Sequence, residues 1–239
     1  MLVARASGAK IVIGFETKPF GEVWDEALFD VTVPYPRDLI HESDIHLALI
    51  RALGIKNTSA RPEFFLTQAD VSFADSFVER LPKHRLCVAV SPSQWVRRSD
   101  RGWSEGNLAA LLDRLIREKE ALLVLVGAEG DEDLFNHLFV SKQGWTSGIC
   151  HFLCEPRWAR VAAVIKRMDL FLTPDGGNLH LAAAVGAKVL TIFRSADPAR
   201  WCPKEVDIHL LEGGDGPLSV ETVFNNIVRL TQVDRKTPS

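Results

Sequence analysis

The chain has 239 residues, of which 46% are hydrophobic and 25% are charged, and its formal net charge is −3. This length allows one large or two small domains with a sizeable buried core. The slightly negative charge excludes the overall basic field that is typical of nucleic-acid-binding proteins. No apolar run approaches the roughly 20 residues of a membrane-spanning helix, and Gly8 and Lys10 come too early for a signal-peptide core. We therefore expect a soluble cytoplasmic protein.

The first 82 residues predict only part of a domain. The apolar periodicity favours two strands and two helices, at 10–15, 28–33, 45–53 and 69–81. Two strands without a complete βαβ unit are too few for an independent layered domain. We expect residues 1–82 to form a partial N-terminal α/β domain with exposed apolar edges, joined to the rest at 82–84.

Residues 83–232 alternate strand-like runs with amphipathic helix-like stretches. The predicted strands are 86–91, 121–126, 149–153, 170–173, 188–193 and 208–211, and the predicted helices are 108–119, 131–141, 157–168, 178–185 and 220–231. This alternation predicts right-handed crossovers and a doubly wound, parallel, Rossmann-like sheet. The polar residues 233–239 are expected to form a disordered tail.

The four cysteines are Cys87, Cys150, Cys154 and Cys202, and their sparse spacing fits a reducing compartment. Cys150-His151-Phe152-Leu153-Cys154 has potential zinc ligands, but the sequence lacks a second ligand pair. A strand would place both thiols on one buried face, with His151 on the other. We favour two buried thiols over a metal site.

The order 3-2-1-4-5-6 is common in such sheets and would place the strands at 86–91 and 170–173 side by side. Ligands of open α/β sheets bind beyond the carboxyl ends of the strands at this point of reversal. The sequence thus singles out two loops, 92–103 and 174–177.

The second loop leads into a helix through Asp175, Gly176, Gly177 and, one turn later, His180. Two glycines at a helix start allow a phosphate to approach the backbone amides. Asp175 could bind a ligand hydroxyl, and His180 could contact a diphosphate. The alternative is structural: Asp175 as an N-cap, the glycines as a turn and His180 as a surface residue.

The first loop combines arginines, which suit phosphate, with tryptophans, which suit a base or a sugar ring. Its residues are Trp95, Arg97, Arg98, Asp100, Arg101 and Trp103. For this loop in isolation, we favour a solvated basic segment with Trp103 packed into the core.

Two further loops follow strands at the same edge. Glu129 and Asp131 come after 121–126, where an acid commonly binds ribose hydroxyls; a helix-start role is equally favoured for Asp131. The loop 194–198 could close the pocket wall, but an ordinary turn is the better interpretation.

Together these residues resemble glycosyltransferase family 9, which includes the ADP-heptose:lipopolysaccharide heptosyltransferases. The strongest match is the segment 175–193, from Asp-Gly-Gly-Asn-Leu-His through Leu-Ala-Ala-Ala to the next strand, followed by Ser195-Ala-Asp-Pro. Supporting matches are Ser91-Pro92, Asp100-Arg-Gly-Trp-Ser, Gly127-Ala-Glu and the early segments 11–15 and 46–55.

The resemblance implies a GT-B fold and inverting transfer of a sugar, heptose-like, from a nucleotide diphosphate donor to a lipopolysaccharide-core or other glycan acceptor. The implied donor-binding residues are Ser91, Arg101, Glu129, Asp131, Asp175, Gly176, Gly177 and His180. Arg101 stands where the family usually has a phosphate-neutralising lysine, and Gly176 replaces a hydroxyl residue. No metal and no cofactor are implied, and a peripheral contact with the inner membrane is compatible with such an acceptor.

The catalytic residues stay unassigned, because the family's general base belongs to an opening strand and loop that we expect to lie outside these residues. Two alternatives remain open: a nucleotide-sugar-binding module that does not catalyse transfer, and another GT-B-like enzyme such as a nucleotide-sugar epimerase.

Overall fold

The structure is a computed structural model. It describes residues 7–16, 29–56, 58–83, 86–93, 95, 103–140, 148–194, 196–212 and 218–232, with the side chains of 137, 139 and 140 excepted. The predicted tail, 233–239, therefore lies outside the described residues. The chain divides into two compact units, Met1–Ala60 with Pro198–Cys202, and Arg61–Asp197 with Pro203–Ser239.

The described residues form eight strands and eight helices. The strands are β1 Ile13–Phe15, β2 Val31–Val33, β3 Leu86–Val90, β4 Ala121–Gly127, β5 Cys150–Cys154, β6 Leu170–Pro174, β7 Val189–Phe193 and β8 Ile208–Glu212. The helices are α1 Glu42–Ala52, α2 Gln68–Glu79, α3 Glu105–Lys119, α4 Glu132–Val140, α5 Trp158–Lys166, α6 Gly177–Ala184, α7 Pro198–Trp201 and α8 Val220–Gln232.

The second unit contains a six-stranded sheet in which every neighbouring pair is parallel. Its strand order is β5-β4-β3-β6-β7-β8, so the predicted order 3-2-1-4-5-6 is confirmed. β4 is apolar throughout, β6 is apolar except for Thr173, and both are buried along nearly their whole length, as expected for central strands covered on both faces. β3 and β6 lie side by side, with Val88 opposite Leu170. The sheet therefore reverses its strand order where the sequence predicted.

Helix α3 shows how local sequence fixes an element of this unit. Ser104 accepts a hydrogen bond from the Asn107 amide at 3.1 Å, which caps the helix start. Its apolar side chains recur every three or four residues and are fully buried: Leu108, Leu111, Leu112 and Leu115. The helix ends at Glu120, which has the left-handed φ of 51°. This amphipathic face helps to build the core beneath β3 and β4.

The division of the chain differs from the predicted joint at 82–84. Helix α2, expected in the N-terminal part, belongs to the second unit, because it packs against α5. Arg167 donates to Asp75 at 2.8 Å, and the Arg160 guanidinium lies 4.7 Å from the centre of the Phe73 ring. These contacts join residues far apart in sequence, so the helical pattern alone does not show them.

The first unit contains the parallel pair β1 and β2, with Ile13 opposite Val31, and helix α1. Apolar side chains are exposed there, including Ile11 at 60% and Ile40 at 63%. The segment 198–202, which follows the loop 194–198, contains helix α7 and belongs to this unit. It is held by an ion pair between Arg200 and Glu42. His41 Nε2 also lies 2.8 Å from the carbonyl oxygen of Cys202.

Among the helices of the described residues, none has the length and apolar character needed to cross a membrane.

Candidate functional site

A cavity of about 660 Å³ opens at the carboxyl edge of the six-stranded sheet. Its volume falls within the range typical of small-molecule sites. The segments that follow β3, β4, β5 and β6 supply its walls, as the topology predicts. The lining residues are Ser91, Ser93, Val126, Gly127, Ala128, Glu129, Asp131, Glu132, Cys154, Glu155, Pro156, Trp158, Val161, Gly177 and Asn178.

The start of helix α6 forms one end of the cavity. Its N-cap residue, Gly176, offers no side-chain acceptor for the first-turn amides. Within the described parts of the chain, a Cβ added at Gly177 would meet no atom within 4 Å, so open space borders the helix start. The Asn178 amide donates to the Ser91 hydroxyl at 2.8 Å, which ties this helix to the end of β3. The arrangement suits an anion placed against exposed amides.

The loop after β4 is held by Asp131, which is 6% exposed. Its Oδ2 atom accepts hydrogen bonds from the Ser93 hydroxyl at 2.6 Å and from the Ala128 amide at 2.9 Å. The carboxylate therefore links the segments after β3 and β4. Of the two sequence candidates in this loop, Asp131 has this structural task, although it also borders the cavity.

Glu129, the other candidate, is exposed and borders the same cavity. The neighbouring Glu132 accepts from the Gly130 amide at 2.8 Å. Glu155 accepts from the Arg157 amide at 3.0 Å and pairs with Arg160 at 3.2 Å. Glu129 is thus the lining carboxylate best placed to accept hydrogen bonds from the hydroxyl groups of a ligand.

An apolar part of the lining consists of Cys154, Pro156, Trp158 and Val161. Trp158 is the first residue of α5, and its side chain is 60% exposed. Sequence reasoning missed this residue, because a tryptophan at a helix start is indistinguishable from a core residue without knowledge of the fold. The available signal was its position shortly after a strand of the predicted parallel sheet.

The cysteines of β5 differ from their predicted placement. Cys150 is buried, but Cys154 is exposed, so the expectation of two thiols on one buried face was wrong. The reason is that β5 is the edge strand of the sheet and its end borders the cavity. Burial raises the pKa of the Cys150 thiol to about 12. Burial, together with the nearby carboxylates of Glu132 and Asp131, also raises the pKa of Cys154. Both thiols therefore stay protonated near neutral pH.

Of the predicted residues in the β6–α6 segment, some line the cavity and others do not. Gly177 lines the cavity, whereas Asp175, Gly176 and His180 do not border it among the described residues. His180 lies exposed in the first turn of α6, and Asp175 is half-buried. Each of these two residues has an interaction partner.

The two tryptophans of the first predicted loop do not face a ligand. Trp95 is 1% exposed and Trp103 is 2% exposed, with their ring centres 6.0 Å apart. The Trp103 indole donates to the Leu218 carbonyl at 2.8 Å. The prediction that Trp103 packs into the core is confirmed. The alternative that Trp95 or Trp103 stacks on a base or a sugar was wrong, because both rings are buried in the core. Arg97, Arg98, Asp100 and Arg101 lie outside the described residues.

Known proteins resemble this chain in sequence and in fold. The pattern of Glycosyltransferase family 9 (heptosyltransferase) matches residues 2–215. The lipopolysaccharide core heptosyltransferase OpsX of Haemophilus influenzae is 23% identical over 168 residues, which are 68% of this chain and 45% of that protein. The chain spans about half the length of the curated relatives that it matches.

Two solved Escherichia coli structures show the same fold. ADP-heptose lipopolysaccharide heptosyltransferase II has a TM-score of 0.77 and 19% identity, with coverage of 98% of this chain and 73% of that one. Heptosyltransferase WaaC with ADP has a TM-score of 0.62 and 17% identity, with coverage of 93% and 66%. The predicted α/β fold of the GT-B type is therefore confirmed. Because the family pattern extends over most of its residues, the chain belongs to glycosyltransferase family 9, the heptosyltransferase family.

Proposed function

We propose that this chain binds a nucleotide-sugar donor, an ADP-sugar, in the cavity at the carboxyl edge of the six-stranded sheet and takes part in transfer of a heptose-like sugar to a lipopolysaccharide-core acceptor. The observation that carries the proposal is the cavity itself. It joins an open helix start at Gly177 to the Glu129 carboxylate, for which the described part of the chain shows no partner, at the point where the strand order reverses. Membership of the family and the ADP of the WaaC structure support the choice of donor.

The diphosphate lies at the start of α6 in this proposal. Four of the described lining residues carry carboxylates: Glu129, Asp131, Glu132 and Glu155. The described lining includes no lysine or arginine. An anion is therefore best accommodated at the opposite end, where the Gly177 segment presents backbone amides and the positive end of the helix dipole. Asp175, Gly176, His180 and Arg101 are retained as proposed donor contacts on the grounds of their family motif.

The ribose lies against Glu129. A carboxylate is an acceptor, and the two ribose hydroxyls are donors, so this pairing satisfies both partners. Ser91 and Asp131 have supporting parts here, because Ser91 is bonded to Asn178 and Asp131 is bonded to Ser93. They fix the positions of the loops that contact the donor.

Transfer would proceed by displacement of the nucleoside diphosphate from the anomeric carbon, with inversion. Negative charge then increases on the leaving phosphate, and the amides of α6 stabilise it without reorganising. On the grounds of the family motif, His180 and Arg101 are proposed to contact the same group. The acceptor hydroxyl needs a general base, and none of the described cavity residues is assigned that role.

No cofactor or metal is part of this proposal. We place the reaction in the cytoplasm, with peripheral contact between the protein and the membrane that carries the acceptor. A nucleotide-sugar epimerase is not favoured, because the matching family is one of glycosyltransferases.

The proposal is tested by a sugar-transfer assay with ADP-heptose and a lipopolysaccharide-core acceptor, in which sugar incorporation and ADP release are measured together. We expect transfer by the parent chain. Glu129→Gln should raise the donor KM roughly 10- to 100-fold, since a hydrogen bond to a charged group contributes about 1.5–3 kcal/mol. Glu63→Gln is the matched control, because Glu63 is exposed and lies outside the cavity.

Three outcomes would change the account. Donor binding without transfer would favour the binding module. An unchanged KM in Glu129→Gln would remove that residue from the ribose site. A parent chain that neither binds ADP nor transfers sugar would contradict the proposal as a whole.

A further inference from the structure

We propose that Trp158 is the stacking platform for the nucleobase of the donor, so that this one side chain determines how strongly the base contributes to binding. The inference rests on the proposed function in one respect, namely that a nucleotide occupies the cavity. It adds a specific residue that the sequence motifs do not indicate.

The first support is the exposure of the side chain. Trp158 is 60% exposed and borders the cavity, whereas Trp95 and Trp103 are buried. A large aromatic surface has a higher free energy when it is exposed to water than when an apolar partner covers it. A planar base that covers the indole would remove that surface from water, and base–aromatic stacking favours such contact.

The second support is the rigidity of its surroundings. Trp158 lies within a helix turn of Val161, which also borders the cavity, and the following residues of α5 are buried in the core. The Glu155 carboxylate accepts a hydrogen bond from the Arg157 amide and forms an ion pair with Arg160. These two partners precede and follow Trp158 in the sequence. Arg160 in turn lies over the Phe73 ring of α2. The backbone that carries the indole is therefore held in place before a ligand binds.

The third support is the order of the chemical groups along the sheet. The strands run β5-β4-β3-β6. Trp158 follows β5, Glu129 follows β4, and Gly177 follows β6. With strands about 4.8 Å apart, β5 and β6 are separated by about 14 Å, which matches the length of an extended nucleoside diphosphate. A base at Trp158, a ribose at Glu129 and phosphates at Gly177 follow the covalent order of the nucleotide.

The experiment compares parent, Trp158→Ala and Trp158→Phe by calorimetric titration with ADP, and by competition with inorganic pyrophosphate, which has no base. Trp158→Ala should weaken ADP binding roughly 5- to 100-fold, the range expected for one stacked base. Phenylalanine should restore most of the affinity, and pyrophosphate binding should stay unchanged. In the transfer assay, Trp158→Ala should raise the donor KM and leave kcat nearly unchanged, because the base is remote from the reacting bond.

Trp201→Ala is the matched control, because Trp201 is 41% exposed and does not border the cavity. Equal weakening of ADP and pyrophosphate would indicate a general structural defect and overturn the inference. Unchanged ADP affinity in Trp158→Ala, with normal binding by the parent, would overturn it and leave the proposed function intact. A parent chain that does not bind ADP would overturn both.

Discussion

Two glycines line the cavity, and they differ in the space that a side chain would meet. A Cβ at Gly127 would overlap the Phe135 ring, so this position is closed by the protein's own core. A Cβ at Gly177 would meet no atom of the described residues within 4 Å. A small side chain at Gly177 is therefore compatible with the described structure, and it would occupy the space proposed for the ligand.

Gly177→Ala is expected to reduce ADP affinity at least several-fold while the thermal midpoint stays equal or rises, because alanine favours a helix over glycine by up to about 1 kcal/mol. Titration calorimetry and thermal unfolding measure the two effects separately. Gly106→Ala is the control, since Gly106 also lies in a first helical turn and its Cβ would come no closer than 3.8 Å to another atom. Full ADP affinity in Gly177→Ala would show that phosphate does not approach this helix start.

At the scale of single residues, the sequence predicted where a helix begins better than which side chains contact each other. The glycine-rich start of α6 was recognisable from Asp175-Gly-Gly, because glycines before an apolar helix form a local pattern. The alternative of Asp175 as the N-cap was wrong, because the N-cap is Gly176 and no side chain caps the helix. The bond between Asp131 and Ser93 joins two loops far apart in sequence, so no local pattern contains it. Exposure of Trp158 likewise depends on which strands surround it.

At the scale of elements, helix α2 is fixed by a reciprocal pair of hydrogen bonds at its start. The Thr67 hydroxyl accepts from the Asp70 amide, and Asp70 accepts from the Thr67 amide at 2.9 Å. Hydrogen bonds from the Thr67 side chain and backbone lower the pKa of the Asp70 carboxyl below its usual value. The charged form of Asp70 is therefore stabilised in the folded protein.

Because the pKa is lowered on folding, this stabilisation is present above the unfolded pKa of about 3.9 and is lost as the pH falls through the folded pKa. Asp70→Asn should lower the thermal midpoint at pH 7, and its difference from the parent should shrink when the pH is lowered below about 4. Asp133→Asn, which removes an exposed carboxylate in the first turn of α4, should have a smaller effect at pH 7. A difference between Asp70→Asn and the parent that stays constant from pH 7 to pH 3 would contradict this role.

The long elements were predictable because their patterns are strong. The uninterrupted apolar run of β4 and the helical spacing of α3 each match one kind of element. Helix α7 was not predicted, because four residues are too few to show a period. The burial of the β5 cysteines was misjudged because an edge strand and a central strand can have the same apolar residues, and only the strand order distinguishes them.

At the scale of the whole molecule, alternation of strands and helices predicted the parallel sheet and its point of reversal. The boundary of the compact units was not predictable in the same way. It depends on the packing of α2 against α5 and on the ion pair of Arg200 with Glu42, which both join distant parts of the sequence. Local patterns predict the elements, whereas side-chain contacts decide to which unit each element belongs.

The most direct test of the account is a crystal structure of the 239-residue chain with ADP. We expect the adenine against Trp158, the ribose hydroxyls within hydrogen-bonding distance of Glu129, and the diphosphate at the first-turn amides of α6 beside Gly177. ADP bound at another edge of the sheet, or bound in this cavity with its phosphates against the carboxylates of Glu132 and Glu155, would contradict the account.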